Sequence, residues 1–172
     1  EMSDASGTLW LDIGKRDWSD VALAATGLSR NHMPRLVEGS QAAGRLRPEL
    51  ARRWGMTLAP ILAGGAGDNA AGAIGLGAVW PGDAFISLGT SGVLWATTAG
   101  FAPNPEAAVH AFCHCLPKAW HQMGVILSAA SCLNWLAATL GADEATLLDE
   151  LGDCVSRPSD ILFLPYLSGE RT

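Results

Sequence analysis

Positively charged residues are scarce in this sequence, and their scarcity excludes one large class of partners. The 172 residues contain 11 Lys and Arg against 17 Asp and Glu, which gives a formal net charge of −6 at pH 7. No cluster of basic residues exceeds the short groups Arg45–Arg47 and Arg52–Arg53. Proteins that bind nucleic acids usually carry a basic patch or stripe. We therefore expect no nucleic-acid partner.

Long uninterrupted apolar runs are also missing. The most apolar stretch, Met123–Leu140, contains Ser128, Ser131, Asn134 and Thr139, whereas a membrane-spanning helix needs about 20 predominantly apolar residues. We therefore expect no membrane contact. The chain is 49% hydrophobic, which is enough to bury a substantial core instead.

Cysteine is infrequent, and its positions do not suggest a disulfide scaffold. The four cysteines are Cys113, Cys115, Cys132 and Cys154. Their number favours a reducing compartment, and we expect a cytoplasmic protein. The group His110, Cys113, His114 and Cys115 could suggest zinc, but no second Cys-x-x-Cys pair follows. Buried free thiols are the favoured alternative.

A glycine-rich segment, Gly64–Gly72, is the most informative part of the sequence. Its residues are Gly-Gly-Ala-Gly-Asp-Asn-Ala-Ala-Gly, with the acidic side chain at Asp68. The apolar run Leu58–Ala63 before it predicts a buried strand, and the small residues from Asn69 to Ala78 predict a helix. Glycines allow a sharp turn and close approach of a ligand to the backbone. The pattern places one carboxylate at a rigid strand-to-helix turn.

A second glycine turn, Ser87–Gly92, follows about twenty residues later. Its central residues are Gly89, Thr90 and Ser91, and the runs Ala84–Ile86 and Val93–Ala96 on either side predict strands. Backbone N–H and hydroxyl groups in such a loop suit phosphate. A carboxylate that accepts a proton and a loop that holds phosphate are together what phosphoryl transfer to an alcohol requires.

Two other interpretations of the first turn need weighing. Residues Gly65–Ala70 match Gly-x-Gly-x-x-Ala, which is typical of dinucleotide-binding proteins and would make this an oxidoreductase. This is disfavoured, because Asp68 would put negative charge where the pyrophosphate sits and no acidic residue follows at the ribose position. Asp68 could also serve only as a helix N-cap, a common role for aspartate.

The remaining pattern predicts alternating helices and strands, and the turn Trp80–Asp83 predicts a boundary between residues 1–79 and 80–172. Helices are predicted at Asp17–Ala25, Asn31–Leu36, Arg47–Trp54, Ser128–Leu140 and Asp143–Leu151. Further strands are predicted at Thr8–Ile13, Val109–His114, Trp120–Val125 and Ile161–Leu164.

Six segments, in the same order along the whole chain, resemble the FGGY family of carbohydrate kinases. They are Met2–Thr8, Ala63–Ala73, Ser87–Gly92, Val109–His114, Leu127–Leu133 and Phe163–Thr172. The resemblance implies an α/β fold, the ribonuclease H-like two-domain kinase of the actin and sugar-kinase superfamily. It also implies that this chain is an internal fragment spanning the domain junction. Residues 1–79 would be the last part of the sugar-binding domain and 80–172 the first part of the nucleotide-binding domain.

The resemblance further implies a role for individual residues. Asp68 resembles the catalytic base, Asn69 a contact to sugar hydroxyls, and Gly89, Thr90 and Ser91 the loop that faces the phosphates of ATP. Mg²⁺ is expected with ATP, but no metal ligand within this chain. We expect the chain alone to be inactive, because the family's first phosphate loop and its adenosine motif are not in it.

The pair Asp68-Asn69 resembles family members that phosphorylate D-xylulose, whereas members acting on glycerol usually have Asp-Gln. The expected partners are therefore a small sugar and ATP, and the resemblance allows a homodimer. Ribulose, gluconate and glycerol remain alternative substrates. A non-catalytic member of the same fold, such as a sugar sensor or an ATP-driven clamp, is a further alternative.

Overall fold

The computed structural model describes residues 1–152, 157 and 159–170 of the chain and shows a mixed α/β architecture. The described helices are α1 Met2–Ala5, α2 Asp20–Ala25, α3 Pro48–Arg53, α4 Asp68–Leu76, α5 Ala130–Leu140 and α6 Glu144–Asp149, with 3₁₀ turns at Ser6–Thr8 and Arg30–His32. The described strands are β1 Leu11–Asp12, β2 Asp17–Trp18, β3 Ala42–Arg45, β4 Ile61–Ala63, β5 Ala84–Leu88, β6 Gly92–Thr98, β7 His110–Cys113 and β8 Trp120–Ile126.

The strands form two short antiparallel pairs and one larger sheet. Strand β1 pairs with β2, with Leu11 opposite Trp18, and β3 pairs with β4, with Ala42 opposite Ala63. The larger sheet has the order β5-β6-β8-β7. The chain divides into two compact units, residues 1–85 with 96–122, and residues 86–95 with the described residues from 123 onward.

The first unit has its core where α1, β1, β2, α2 and β7 meet. Its buried residues are Met2, Ala5, Leu11, Trp18, Leu23 and Cys113. The buried hydroxyl of Ser6 joins α1 to β7, because Ser6 Oγ donates to the carbonyl of Met2 (2.8 Å) and accepts from the N–H of Cys113 (3.0 Å). In the second unit Trp95 and Ala137 are buried, and the rings of Trp135 and Phe163 lie 6.1 Å apart.

Several elements agree with the sequence prediction. The predicted helix at Arg47–Trp54 forms as α3, with Pro48 in its first turn and Gly55 at a φ of 72° just after its end. The glycine turn leads into α4, and the second glycine turn lies between β5 and β6. Cys113 and Cys115 are buried free thiols, whereas Cys154 lies outside the described residues.

Two predicted elements are shorter in the structure than expected. The strand predicted at Leu58–Ala63 is limited to Ile61–Ala63, and both this strand and its partner β3 are exposed, because no element of the described residues covers the pair. The helix predicted at Asn31–Leu36 is only a 3₁₀ turn that ends at His32. Met33 precedes Pro34 and adopts the extended conformation that proline imposes on the residue before it.

The other corrections concern two chain segments. Residues 161–164 form no strand and are exposed. The helix predicted at Asp17–Ala25 starts later, because Asp17 and Trp18 form β2 and Ser19 caps α2 by accepting from the N–H of Ala22. Within the described ranges, no helix is both long and apolar enough to cross a membrane.

Two histidines are buried against each other in the first unit. The rings of His114 and His121 meet edge to face at 6.1 Å, and Phe112 packs on His121 in the same way at 5.8 Å. Burial lowers the pKa of His121 to about 3, and the proximity of His114 adds to this shift. Burial also lowers the pKa of His114. Both imidazoles are therefore neutral in the folded protein at neutral pH.

The buried His121 predicts a loss of stability in acid. The unfolded side chain takes up a proton below about pH 6.5, whereas the folded side chain does so only near pH 3. Between these values the unfolded state binds more protons, so stability falls as the pH falls. We expect the melting temperature to drop more steeply from pH 6.5 to 4.5 in the native protein than in His121→Gln. If the melting temperatures of the two proteins fall equally over this pH range, the low pKa of His121 is contradicted.

Candidate functional site

The turn between β4 and α4 is held by a backbone segment of the same unit. The N–H of Gly64 donates to the carbonyl of Gln41 (2.9 Å), and the N–H of Gly65 donates to the carbonyl of Gly39 (3.0 Å). Gly65 has a φ of 83°, which a residue with a side chain rarely adopts. Glycine at position 65 is therefore required by the conformation of the turn, and the two backbone hydrogen bonds hold the turn in that conformation.

The space around the supporting segment is also limited. A Cβ atom on Gly39 would lie 2.7 Å from the carbonyl oxygen of Gly65 and 2.8 Å from that of Cys115. The preceding residue, Glu38, forms an ion pair with Arg16 at 2.7 Å, and the Arg16 side chain is only 11% exposed. Arg16 also donates to the carbonyl of Ala119 and lies over the Trp120 ring. The segment that supports the turn is thus anchored in the first unit.

Asp68 is the first residue of α4, and its carboxylate is exposed. Gly67 occupies the N-cap position, so the alternative in which Asp68 is the N-cap is wrong. The Oδ1 atom of Asp68 accepts from the N–H of Asn69 at 2.7 Å. Asn69 is the second residue of α4 and is half-buried, so a carboxylate and an amide follow one another in the first turn of the helix.

A cavity of about 430 Å³ lies beside this turn. It is lined mainly by apolar groups and small residues, namely Gly39, Ser40, Gly65, Ala66, Ala71, Ile74, Cys115 and Leu116. Neither Asp68 nor Asn69 lines it. The cavity therefore lies apart from the polar groups of the turn.

The loop Gly89–Ser91 belongs to the second unit and is held by the start of α5. The carbonyl of Thr90 accepts from the N–H of Ala129 (2.8 Å) and from the hydroxyl of Ser131 (3.0 Å). The carbonyl of Gly89 accepts from the N–H of Ala130 (3.0 Å). These bonds direct the loop carbonyls towards α5, while the side chains of Thr90 and Ser91 are exposed.

The residue that follows this loop has little room for a side chain. Gly92 is buried, and a Cβ atom there would lie 2.9 Å from Cγ1 of Ile126 and 3.1 Å from Cβ of Ala129. The loop therefore packs closely on the corner between β8 and α5. Two hydroxyls on a loop held in this way can bind an anion such as phosphate.

Two residues of the second unit have contacts that the sequence alone did not reveal. Ser131 lies in one of the family-like segments, but only the structure shows its hydroxyl holding the carbonyl of Thr90. Glu170 lies in another family-like segment, Phe163–Thr172. Its Oε2 atom accepts from the N–H of Leu127 at 2.9 Å, whereas Arg171 lies outside the described residues.

Known proteins match this chain along its whole length. Residues 1–75 match the FGGY family of carbohydrate kinases, N-terminal domain. The chain is 55% identical to a xylulose kinase from Escherichia coli (strain K12) and 53% identical to one from Klebsiella pneumoniae, over all of this chain and 36% of each relative. The chain thus spans about a third of the length of the curated relatives it matches.

Solved structures also match this chain over almost its whole length. The crystal structure of a xyloylose kinase from Brucella ovis matches with a TM-score of 0.94 and 61% identity, covering 99% of this chain and 35% of that one. A gluconate kinase structure from Lactobacillus acidophilus matches with a TM-score of 0.84 at 22% identity, over 99% of this chain and 35% of that one. The second match shows a shared fold alone.

The close backbone packing at Gly39 predicts the effect of a small substitution. In the whole protein, we expect Gly39→Ala to lower the free energy of unfolding by about 1–3 kcal/mol, the usual cost of overpacking, because backbone atoms obstruct the added methyl group. Gly75→Ala is the matched control. Gly75 lies in α4 with open space around it, so alanine there is expected to stabilise by about 0.5–1 kcal/mol. Denaturant unfolding of both variants measures the difference, and equal effects of the same sign would contradict the packing argument.

Proposed function

Because this chain belongs to the FGGY family of carbohydrate kinases, we propose that the whole protein transfers the γ-phosphoryl group of ATP to a hydroxyl of D-xylulose. The observation that carries the choice of sugar is the 55% identity, along all of this chain, to a protein named xylulose kinase. Residues 1–79 are proposed as the last part of the sugar-binding domain and residues 80–172 as the first part of the nucleotide-binding domain. The family match over residues 1–75 supports the first of these assignments.

In this proposal, Asp68 is the general base. Its carboxylate is exposed at the start of α4, and the turn before it is anchored by the backbone of residues 39–41. A carboxylate held in this way accepts the proton of the sugar hydroxyl as that oxygen attacks the γ-phosphorus. Phosphoryl transfer depends mainly on positioning and charge stabilisation, so a rigid support for the base contributes directly to the rate.

Asn69 is proposed to orient the sugar. A primary amide offers both a hydrogen-bond donor and an acceptor, and a polyol presents both kinds of group. Since Asn69 follows Asp68 directly, its amide can hold a hydroxyl close to the one that loses its proton. This pair therefore combines recognition with proton transfer on a single helical turn.

The loop of Gly89, Thr90 and Ser91 is proposed to bind the phosphates of ATP. Its exposed hydroxyls and its anchoring on α5 support this role. The oxygen donors of the loop are compatible with a magnesium–phosphate group, because Mg²⁺ prefers oxygen ligands and retains several waters. Mg²⁺ bound with ATP would neutralise charge on the β- and γ-phosphates. No cluster of potential metal ligands occurs among the residues that the structure describes.

Replacing the proposed base tests the mechanism. In the whole protein, Asp68→Asn keeps the shape of the side chain but cannot accept the proton, and we expect sugar-dependent ADP release to fall by about 10²–10⁴-fold. Glu49→Gln serves as the control, because Glu49 is also an acid in the first turn of an exposed helix, α3. The control is expected to stay within about twofold of the native rate, as surface changes away from a site usually have small effects.

The assay should include D-xylulose, ribulose, gluconate and glycerol at equal concentrations. Preference for D-xylulose is the expected result. Activity of Asp68→Asn within threefold of the native protein would exclude Asp68 as the base, whatever the preferred sugar.

Removing one hydroxyl tests the phosphate loop. Thr90→Val keeps the branched shape, and loss of one hydrogen bond to a charged group costs about 1.5–3 kcal/mol. We therefore expect kcat/KM for ATP to fall about 10- to 150-fold with KM for the sugar little changed. Thr98→Val, at the end of strand β6 that follows this loop, is the control, because the Thr98 hydroxyl donates to the carbonyl of Gly100. A raised KM for the sugar with normal ATP kinetics would mean that the loop binds the other substrate.

A further inference from the structure

A buried serine far away in the sequence contacts the residue next to the proposed base. Ser3 lies in α1, is only 7% exposed, and its Oγ accepts from the N–H of Gly67 at 2.9 Å. Gly67 is the N-cap of α4 and directly precedes Asp68. We propose that Ser3 is a positioning residue that holds the carboxylate of Asp68 in its reactive orientation. This inference rests on the proposed function of Asp68.

The hydroxyl of Ser3 is itself oriented for this contact. Ser3 Oγ donates to Oε2 of Glu1 at 2.6 Å, and the same carboxylate oxygen accepts from the N–H groups of Ser3 (3.0 Å) and Asp4 (3.3 Å). A hydroxyl has one proton to donate, so donation to Glu1 leaves its lone pairs for the N–H of Gly67. Hydrogen bonds to a carboxylate are stronger than those between neutral groups. The bond to Glu1 therefore holds the Ser3 hydroxyl in the orientation in which it accepts from Gly67.

Gly67 is a suitable point at which to control the direction of α4. Its N–H is held by Ser3, and its carbonyl accepts from the N–H of Ala71 in the first turn of the helix (2.9 Å). The turn also packs against α1, because a Cβ atom on Gly67 would lie 3.6 Å from Ser3 Oγ and 3.7 Å from the nitrogen of Asp4. A shift of Gly67 would therefore move the first turn of α4, and Asp68 with it.

The anchors of the turn differ in kind. Gly64 and Gly65 are held by backbone carbonyls of Gln41 and Gly39, whereas Gly67 is held by the Ser3 side chain. The Ser3 contact can therefore be removed without altering the backbone of the turn. The remaining anchors should keep the protein folded when it is lost.

Ser6 provides a matched control in the same region. It is 3% exposed, and its hydroxyl likewise accepts from a backbone N–H at 3.0 Å, but that N–H belongs to Cys113 in β7. Both Ser3→Ala and Ser6→Ala remove a buried hydroxyl that pairs with a backbone donor. We expect similar decreases in melting temperature from the two changes.

Kinetic measurements on the whole protein with ATP and D-xylulose distinguish the role of Ser3 from that of Ser6. A misplacement of about 1 Å can cost about 10²-fold in rate, so we expect Ser3→Ala to lower kcat about 5- to 100-fold with KM for ATP unchanged. Ser6→Ala is expected to retain native kcat, and Ser3→Thr, which keeps the hydroxyl, to recover most of the rate. If Ser3→Ala does not fold, Ser3→Cys, with a weaker acceptor, takes its place with the same expectation.

The double variant Ser3→Ala with Asp68→Asn shows whether Ser3 acts through Asp68. Groups that act as a unit are non-additive, so Ser3→Ala should cause no further loss of kcat in the Asp68→Asn background. Native kcat in Ser3→Ala, or an equal loss in Ser6→Ala, would overturn the positioning role. Full additivity in the double variant would overturn it as well. A fully active Asp68→Asn would instead overturn the proposed function, so the two failures are distinguishable.

Discussion

The architecture around Asp68 depends on a close approach between two backbone segments, residues 38–41 and 64–67. A Cβ atom on Gly64 would collide with the carbonyl oxygen of Glu38, and one on Gly39 would collide with the carbonyl of Gly65. Backbone atoms cannot move aside as the end of a flexible side chain can, so glycine is required on both segments. The approach allows the hydrogen bonds that hold the turn, and it places a charged residue at the start of α4 on a rigid support.

The loop Gly89–Ser91 of the second unit is also held by hydrogen bonds and close backbone packing, but its partners are different. Its carbonyls bind the first residues of α5, and Gly92 packs against Ile126 and Ala129. In both places the backbone contacts neighbouring elements, and the polar side chains remain exposed. This arrangement favours binding sites, because the groups that meet a ligand are not needed to hold the loop. The groups that bind a ligand then differ from the groups that hold the loop, so each set can be tested by its own substitution.

The sequence predicted the glycine turns because their signal is local. A run of glycines between an apolar segment and a helix indicates a turn, and α4 begins and ends within about two residues of its predicted bounds. Burial was harder to predict, since Ile61 and Leu162 are apolar but exposed, and an apolar pattern does not say which surface will cover it. The contact between Ser3 and Gly67 joins residues 64 positions apart, so no local pattern indicates it. The roles of Asp68, Asn69 and the phosphate loop remain predictions that follow from the family resemblance and from this geometry.

In the mechanism that we propose, the carboxylate of Asp68 contacts the reacting hydroxyl of the sugar. The most direct measurement is a crystal structure of the whole protein with D-xylulose and a non-hydrolysable ATP analogue with Mg²⁺. We expect a carboxylate oxygen of Asp68 within hydrogen-bond reach, about 2.6–3.2 Å, of the hydroxyl oxygen that faces the γ-phosphate. A different carboxylate at that hydroxyl, with Asp68 beyond hydrogen-bond reach of the sugar, would contradict it.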